Sequence, residues 1–437
     1  MVKNRRILHI CDICSVIIKL ANMKTCGLDV HKDMIFCAIY DGKDSVVKKY
    51  DTFTSDLEAM CDDILSEGVD TVAMESTGIY ISAVRTLLRQ RKMRAVVVNP
   101  YLIKQMPGRK SDVKDSVWIA TLMHNGMLSA SFLPDGALAQ MRVYTRDYRR
   151  SVQRRDSTLT LIDQLLVGMG IRLSSCLSKI TTKSFRRVAE AVAGGETSPE
   201  KLEKLVHGCL KHKRDGTLRK ALTGCCEGQD LWRLKRRMEE LEMYETQIDD
   251  ALTHMEELAE ANYREEVALL CTIPGVNRIS AMCVIAEIGT DMSQFGSSAR
   301  LAGWAGLRPR NDESAGKYKS TAITKGNKHL KAMLVQCAWG AVKASNSRFA
   351  AVFSRLSARK GVKKAIIAVA RKLLATIFAM LKNREQYCPQ KTGRSLTKTQ
   401  IARMLAKQVK QYERLCQQAL QAGLTVQPLT NTTPTTA

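Results

Sequence analysis

Proline and glycine are scarce, 9 and 26 residues in 437, which excludes a chain disordered in bulk. Acidic residues are short as well. Against 68 Lys and Arg stand 43 Asp and Glu, so the formal net charge is +25, and an acidic or neutral housekeeping enzyme is excluded as the default. No apolar run approaches the roughly 20 residues needed to span a bilayer. The N-terminus is basic and then apolar, as in a signal peptide, but Asp12 and Lys19 interrupt the run from Ile7 to Leu20. Nor do the 14 cysteines form a disulfide frame. Their spacings are irregular, and Cys37, Cys271, Cys283 and Cys337 sit inside apolar runs, so they read as reduced, buried thiols of a cytosolic protein. The one CxxC, Cys11 to Cys14, has no second Cys or His pair at zinc-site spacing, and Cys225-Cys226 offers no ligand frame.

What the chain does have is 45% hydrophobic residues, enough to bury sizeable cores, and a length suited to roughly two to four domains. A surplus of +25 sets up a field that favours polyanions, with nucleic acid the usual partner and anionic membranes or simple solubility the competing explanations. Residues 301–384 carry 18 Lys and Arg against two acids, Asp312 and Glu313, so +16 of the +25 lies in less than a fifth of the chain. A merely soluble surface intersperses signs, so this asymmetry favours phosphate contact.

From Thr25 onward, short apolar runs alternate with helical patterns. Thr25–Tyr40 and Ser45–Phe53 read as strands around Asp41-Gly42-Lys43, a hairpin signal, and Val69–Met74 and Met93–Val98 as further strands. Between them Ser55–Glu67, with Ser55 as N-cap, and Gly78–Arg91 have helical periodicity. The order is ββ(β)αβαβα, a mixed α/β sheet. Asn99-Pro100 and Pro107-Gly108 punctuate its exit, and Ser111–Met127 reads as a helix. After Pro134 the strand signals vanish and residues 140–262 are helical in pattern, with breaks at Gly194-Gly195 and at the basic stretch Lys211–Arg219. Within them Leu231, Leu234, Met238, Leu241, Ile248, Leu252 and Met255 fall on a 3-4 spacing that only Glu245 breaks. That is a coiled-coil seam, packed either inside the chain or against a second copy. The boundaries read 1–23 as an N-terminal extension, 24–139 as the α/β domain, 140–262 as a helical connector, 263–384 as a third, mostly helical domain, and 385–437 as a helical, then disordered tail.

Four carboxylates stand out. Asp29 lies in a strand, where it is costly unless it faces a metal or caps a turn. Glu75 ends the apolar run Thr71-Val72-Ala73-Met74, and Asp112 and Asp115 are spaced i, i+3 on a helix, pointing to one side. Carboxylates from three elements that converge suit hard Mg²⁺ or Mn²⁺, which activate nucleophiles and stabilise leaving oxygens in phosphoryl transfer. Taken singly, Asp112 is equally a helix cap and Asp115 a partner of nearby lysines. Further on, Thr272-Ile273-Pro274-Gly275-Val276 has the form of a helix-hairpin-helix turn, whose N–H groups can face a phosphate, or of an ordinary Pro-Gly turn. The polar loop Asn311–Ser320 leads to Thr324-Lys325-Gly326-Asn327 and a helix, and a serine in it, Ser314 or Ser320, is a candidate nucleophile if Lys, Arg or a metal stabilises the phosphate.

Gly27-Leu28-Asp29-Val30-His31-Lys32, Met74-Glu75-Ser76-Thr77-Gly78, Val98-Asn99-Pro100, Lys110-Ser111-Asp112-Val113-Lys114-Asp115, and the segment from Ser314-Ala315-Gly316-Lys317 to Lys325-Gly326-Asn327 occur in this order. Together they resemble the DEDD transposases of insertion sequence family 110, the bridge-RNA-guided recombinases, over residues 24–384. The resemblance implies an α/β ribonuclease-H-like (RuvC-like) domain, a helical coiled-coil connector and a mostly α C-terminal transposase domain. It also implies that Asp29, Glu75, Asp112 and Asp115 bind Mg²⁺, and that Ser314, with Ser320 as fallback, attacks DNA to form a phosphoserine linkage. The partners it implies are double-stranded DNA at the element ends and target, a structured guide RNA, and further copies of the chain in a dimer or tetramer. The setting is the bacterial cytoplasm, at the nucleoid and away from membranes. Rival readings are a RuvC-like metal-dependent nuclease or junction resolvase without serine chemistry, and a non-catalytic nucleic-acid-binding remnant.

Overall fold

A computed structural model describes residues 24–76, 78–98, 112–128, 130–208, 216–309, 312–314, 317–320, 322–345 and 347–389, with scattered positions between 402 and 418. For 112–114, 312–314 and 317–320 it gives the backbone alone. The N-terminal extension with its CxxC, the Asn99-Pro100 exit, most of the Lys211–Arg219 stretch and the Thr/Pro-rich end lie outside the described residues. The chain divides into two compact units, one of residues 1–258 and 286–289, the other of 259–285 and 290–437.

The first unit opens with β1 (Thr25–Val30), β2 (Met34–Tyr40) and β3 (Ser45–Asp51), then α1 (Thr54–Ser66), β4 (Thr71–Glu75), α2 (Ile81–Gln90), β5 (Arg94–Val98) and α3 (Asp112–His124). The run read as one strand from Thr25 to Tyr40 is two. Exposed His31, Lys32 and Asp33 interrupt the apolar alternation, the His31 N–H donates to the Met34 carbonyl at 3.0 Å, and β2 returns antiparallel to β1. Ser55 is not the N-cap of α1. Phe53 holds that position without a side-chain bond, and the Ser55 hydroxyl, inside the first turn, donates to Asp56 Oδ2 at 3.4 Å.

The five strands lie in the order β3-β2-β1-β4-β5, with β1, β4 and β5 parallel. Cys26, Leu28 and Val30 of β1 alternate onto one face, where they pack with Met60, Cys61 and Ile64 of α1 and Val84 and Leu88 of α2. Each large side chain buried there contributes about 1.5–3 kcal/mol. Helix α3 covers the opposite face, over β1, β2 and β4. The result is a three-layer α/β domain.

The rest of the unit is helical: α4 (Gly136–Gly168), α5 (Lys183–Ala193), α6 (Pro199–Lys204), α7 (Thr217–Leu222) and α8 (Gly228–Asn262). Helices α4 and α8 run antiparallel. Tyr144 stacks on His254 at 4.8 Å, Ser151 donates to Gln247 at 3.2 Å, and Leu159, Ile162 and Leu166 share a core with Leu234 and Leu241. Buried Leu234, Leu241, Ile248 and Met255 recur at heptad spacing, so the seam read from sequence is packed inside the chain.

The second unit contains α9 (Arg264–Cys271), most of α10 (Arg278–Ile288), α11 (Ser298–Trp304), the short strands β6 (Asp312–Ser314) and β7 (Lys317–Ser320), α12 (Lys328–Lys343), α13 (Arg348–Lys360) and α14 (Val362–Asn383). Helix α14 is its centre, packed against α9, α11, α12 and α13. The Pro274-Gly275 turn joins α9 to α10 and is pressed on α12. Gly275 has φ +84°, and a Cβ there would stand 2.1 Å from the Ala341 nitrogen. Cys37, Cys283 and Cys337 are buried as read, but Cys271, the last residue of α9, is exposed. Among the described residues no helix is long and apolar enough to cross a membrane.

Candidate active site

The sheet builds the carboxylate site by register and by small residues. On β1 the side chains of Thr25, Gly27 and Asp29 alternate onto the α3 face. The Thr25 hydroxyl donates to the Ala120 carbonyl at 3.0 Å, and a Cβ on Gly27 would lie 2.3 Å from the Ser116 carbonyl oxygen. Gly27 sits in a row of small residues, paired with Ala38 on β2 and Ala73 on β4, and this row lets the α3 backbone lie directly on the sheet. Two residues along the strand match about one turn of helix, since both advance roughly 6 Å. Gly27 faces both Ser116 and Ala120, and Thr25 reaches the Ala120 carbonyl, so α3 runs back along β1 with its first turn, from Asp112, toward the Asp29 end of the strand.

Strand β4, beside β1, carries Glu75. The parallel ladder pairs Cys26 with Val72, Gly27 with Ala73 and Leu28 with Met74. The ladder ends there, one residue before Asp29 on β1 and Glu75 on β4, and adjacent strands in a sheet lie about 4.8 Å apart. Ala73 and Glu75 share the α3 face, while Val72 and Met74 join the opposite core. Asp29 is 7% exposed, Glu75 half-buried at the end of β4, and Asp115 half-buried on the first turns of α3. Asp29 and Glu75 sit toward the carboxyl ends of β1 and β4, the edge where open α/β sheets bind their ligands.

A buried carboxylate needs a partner. His31 Nε2 lies 3.0 Å from Asp29 Oδ2, and the imidazole packs edge-on against Phe36. Among the described residues no three His, Cys, Asp or Glu side chains stand close enough to hold a metal ion, and the Asp112 side chain is outside that set. The donor set of Asp29, Glu75, Asp112 and Asp115 is all oxygen, which fits a hard divalent cation.

Ser314 belongs to the second unit. The segment read as a polar loop forms the β6–β7 hairpin, because Lys317-Tyr318-Lys319-Ser320 has the alternation of a short strand. Ser314 ends β6 opposite Lys317, whereas Ser320, at the far end, pairs with Asp312. The base of this segment is clamped by glycines. A Cβ on Gly326 would lie 2.3 Å from the Gly306 nitrogen, the Asn327 N–H donates to the Trp304 carbonyl at 3.0 Å, and the Thr324 N–H donates to the Arg308 carbonyl at 2.9 Å. Asn327 then caps α12, its Oδ1 accepting from the His329 and Leu330 N–H groups.

Sequence reasoning named Gly27, Gly326 and His31 only as letters of motifs. The glycines were recoverable as points of close backbone approach, but the His31–Asp29 contact needed the turn at residues 31–33. A buried ion cluster was missed outright. Arg146 reaches Glu287 through two bonds, at 2.8 and 2.9 Å, and Arg142 caps the Ala286 and Glu287 carbonyls at 3.0 and 2.6 Å. Burial pulls the Arg142 guanidinium down to about 10, against the opposing pull of Glu287. No local pattern marks residues separated by 141 positions.

Comparison with known proteins adds two family matches. A DEDD transposase model of the IS110 type matches residues 26–171, and the model described as the transposase IS116/IS110/IS902 family matches residues 267–354. The transposase for insertion sequence element IS1111A of Coxiella burnetii is 32% identical over 144 residues, 32% of this chain and 39% of that protein. The pilin gene-inverting protein of Moraxella lacunata is 35% identical over 134 residues, 29% of this chain and 40% of that protein, and its Moraxella bovis counterpart 34% over the same length, again 29% and 40%. The aligned region thus spans about two fifths of the length of these relatives.

Proposed function

The chain belongs to the IS116/IS110/IS902 family of transposases, and on that premise we propose that it cuts and rejoins DNA as the recombinase of an insertion sequence. The observation that carries this reading is that Asp29 and Glu75 directly follow Leu28 and Met74, the last paired residues of the parallel β1–β4 ladder, on the sheet that α3, beginning with Asp112, covers. The strand order β3-β2-β1-β4-β5 with an antiparallel β2 supports reading the first domain as ribonuclease-H-like. Asp29, Glu75, Asp112 and Asp115 are the residues we assign to hold Mg²⁺ or Mn²⁺. When bound, such an ion neutralises charge on the scissile phosphate and on its leaving oxygen. His31 orients the Asp29 carboxylate.

Ser314 is the proposed nucleophile. Its Oγ attacks phosphorus, an Oγ–P bond forms as the bond from phosphorus to the sugar oxygen breaks, and the serine proton passes to the departing oxygen. A sugar hydroxyl of the second strand then reverses the exchange and releases serine. The register position of Lys317, opposite Ser314, supports charge neutralisation at that step. The finer reading adds a structured RNA that specifies donor and target DNA and a homo-oligomer, and the +16 held by residues 301–384 supports polyanion binding in the serine-bearing part.

A strand-transfer assay with denaturing gels tests both halves. Asp29→Ala and Glu75→Ala should each abolish recombinant product, and Ser314→Ala should abolish the covalent protein–DNA adduct. Retained strand transfer in Ser314→Ala overturns Ser314 as the nucleophile: with the adduct intact it moves the linkage to another residue, Ser320 first, and with no adduct in parent or variant it moves the chemistry to a nuclease or resolvase without serine. Unchanged transposition in Asp29→Ala removes the metal site.

A further inference from the structure

Along one stripe of α14 the side chains run Lys372, Ala375, Thr376, Ala379, Met380 and Asn383, and with the following segment, Glu385–Cys388, they enclose a cavity of about 520 Å³. The alanines carve its floor, and the stripe from Lys372 to Asn383 is about 16 Å long at helical rise. Tyr387 forms a wall. Its ring is stacked on buried Phe349, with centroids 6.0 Å apart and planes 20° from parallel, so one face of it is backed. Asn383 and Gln386 bring side-chain amides, each with donors and an acceptor. At the other end stands Lys372, within electrostatic range of Arg348 and Arg355. Partial burial first, and then these two cations, lower the Lys372 pKa from its ordinary value. Arg348, which also donates to the Pro389 carbonyl at 3.1 Å, raises the positive field at Tyr387 as well. Glu385 is the one carboxylate in the lining.

We infer that this cavity is a binding site for an unpaired nucleotide of a nucleic-acid strand, with the base against Tyr387 and the backbone phosphate toward Lys372 and the two arginines. The parts match what single strands require, a stacking platform, amides for a base edge and cations for the phosphate. A duplex does not enter, because its bases are stacked and paired and have no free face to lay on Tyr387. The inference rests on the reading of the chain as a nucleic-acid enzyme, but it concerns residues other than the carboxylates and Ser314.

The test uses the full chain and fluorescently labelled 12-nucleotide strands of DNA and of RNA beside a duplex of the same sequence, read by anisotropy. Ala379→Phe, which fills the cavity from an exposed floor position, and Tyr387→Leu, which keeps bulk but loses the ring, should each weaken single-strand binding roughly tenfold or more, with duplex affinity within about twofold. Circular dichroism and melting of both variants show whether the fold is kept. Strands carrying 5-iodouracil should crosslink to Tyr387 on irradiation, and the DNA and RNA arms identify which strand the site takes. Parental single-strand affinity in a folded Ala379→Phe overturns the site, as does a parent protein that binds duplex but neither single strand. A parent that binds no nucleic acid overturns the proposed function itself.

Discussion

Gly27 is the residue on which the carboxylate site depends without contributing to its chemistry. A methyl group there meets the Ser116 carbonyl at 2.3 Å and the Ala120 nitrogen at 2.5 Å, both backbone atoms of α3 that cannot rotate away. Gly27→Ala should therefore lift α3 off the sheet and cost about 1–3 kcal/mol, the range for overpacking a close contact. A lowered Tm with loss of strand transfer is the expected result. Glu287 sets a second residue-scale expectation. It is 3% exposed and held by two arginines, so Arg146→Ala leaves it short of partners and should destabilise the chain by about 1–3 kcal/mol in thermal or urea unfolding.

At the scale of elements, the α4–α8 pair carries a simple expectation. Leu241 is 1% exposed in the core shared with Leu159 and Ile162, so Leu241→Ala should cost about 2–5 kcal/mol through the cavity it leaves, seen as an earlier unfolding midpoint. This is the kind of element the sequence discloses well, because heptad spacing is a local pattern read along one helix. The α/β order was legible for the same reason, as periods of two and of about four residues. The turn at His31–Asp33 was not, since β1 and β2 are both apolar and three polar residues are a weak break. The β6–β7 hairpin was hidden behind polar composition that suits a loop equally well. In the candidate site Asp29 and Glu75 stand out in the sequence as acids in apolar strands, whereas the parallel pairing of β1 with β4 is a relation between segments 46 residues apart and leaves no mark on either one.

For the whole molecule, the positive charge and the candidate carboxylates fall in different parts of the chain. Residues 301–384 hold +16 of the +25, while the carboxylates belong to the first unit, whose acids repel phosphate until a divalent cation intervenes. Affinity for duplex DNA should therefore fall steeply with salt, log K declining linearly with log salt concentration. A flat salt response would detach the basic block from the DNA. The central claim is that Asp29 and its neighbours make DNA cutting depend on a divalent cation, and strand cleavage by the parent and by Asp29→Asn, each with Mg²⁺ and with a chelator, tests it most directly. The account predicts product from the parent in Mg²⁺ alone, and none above the chelator background from a folded Asp29→Asn. Cleavage by Asp29→Asn at the parental rate, or by the parent at full rate in chelator, would contradict it.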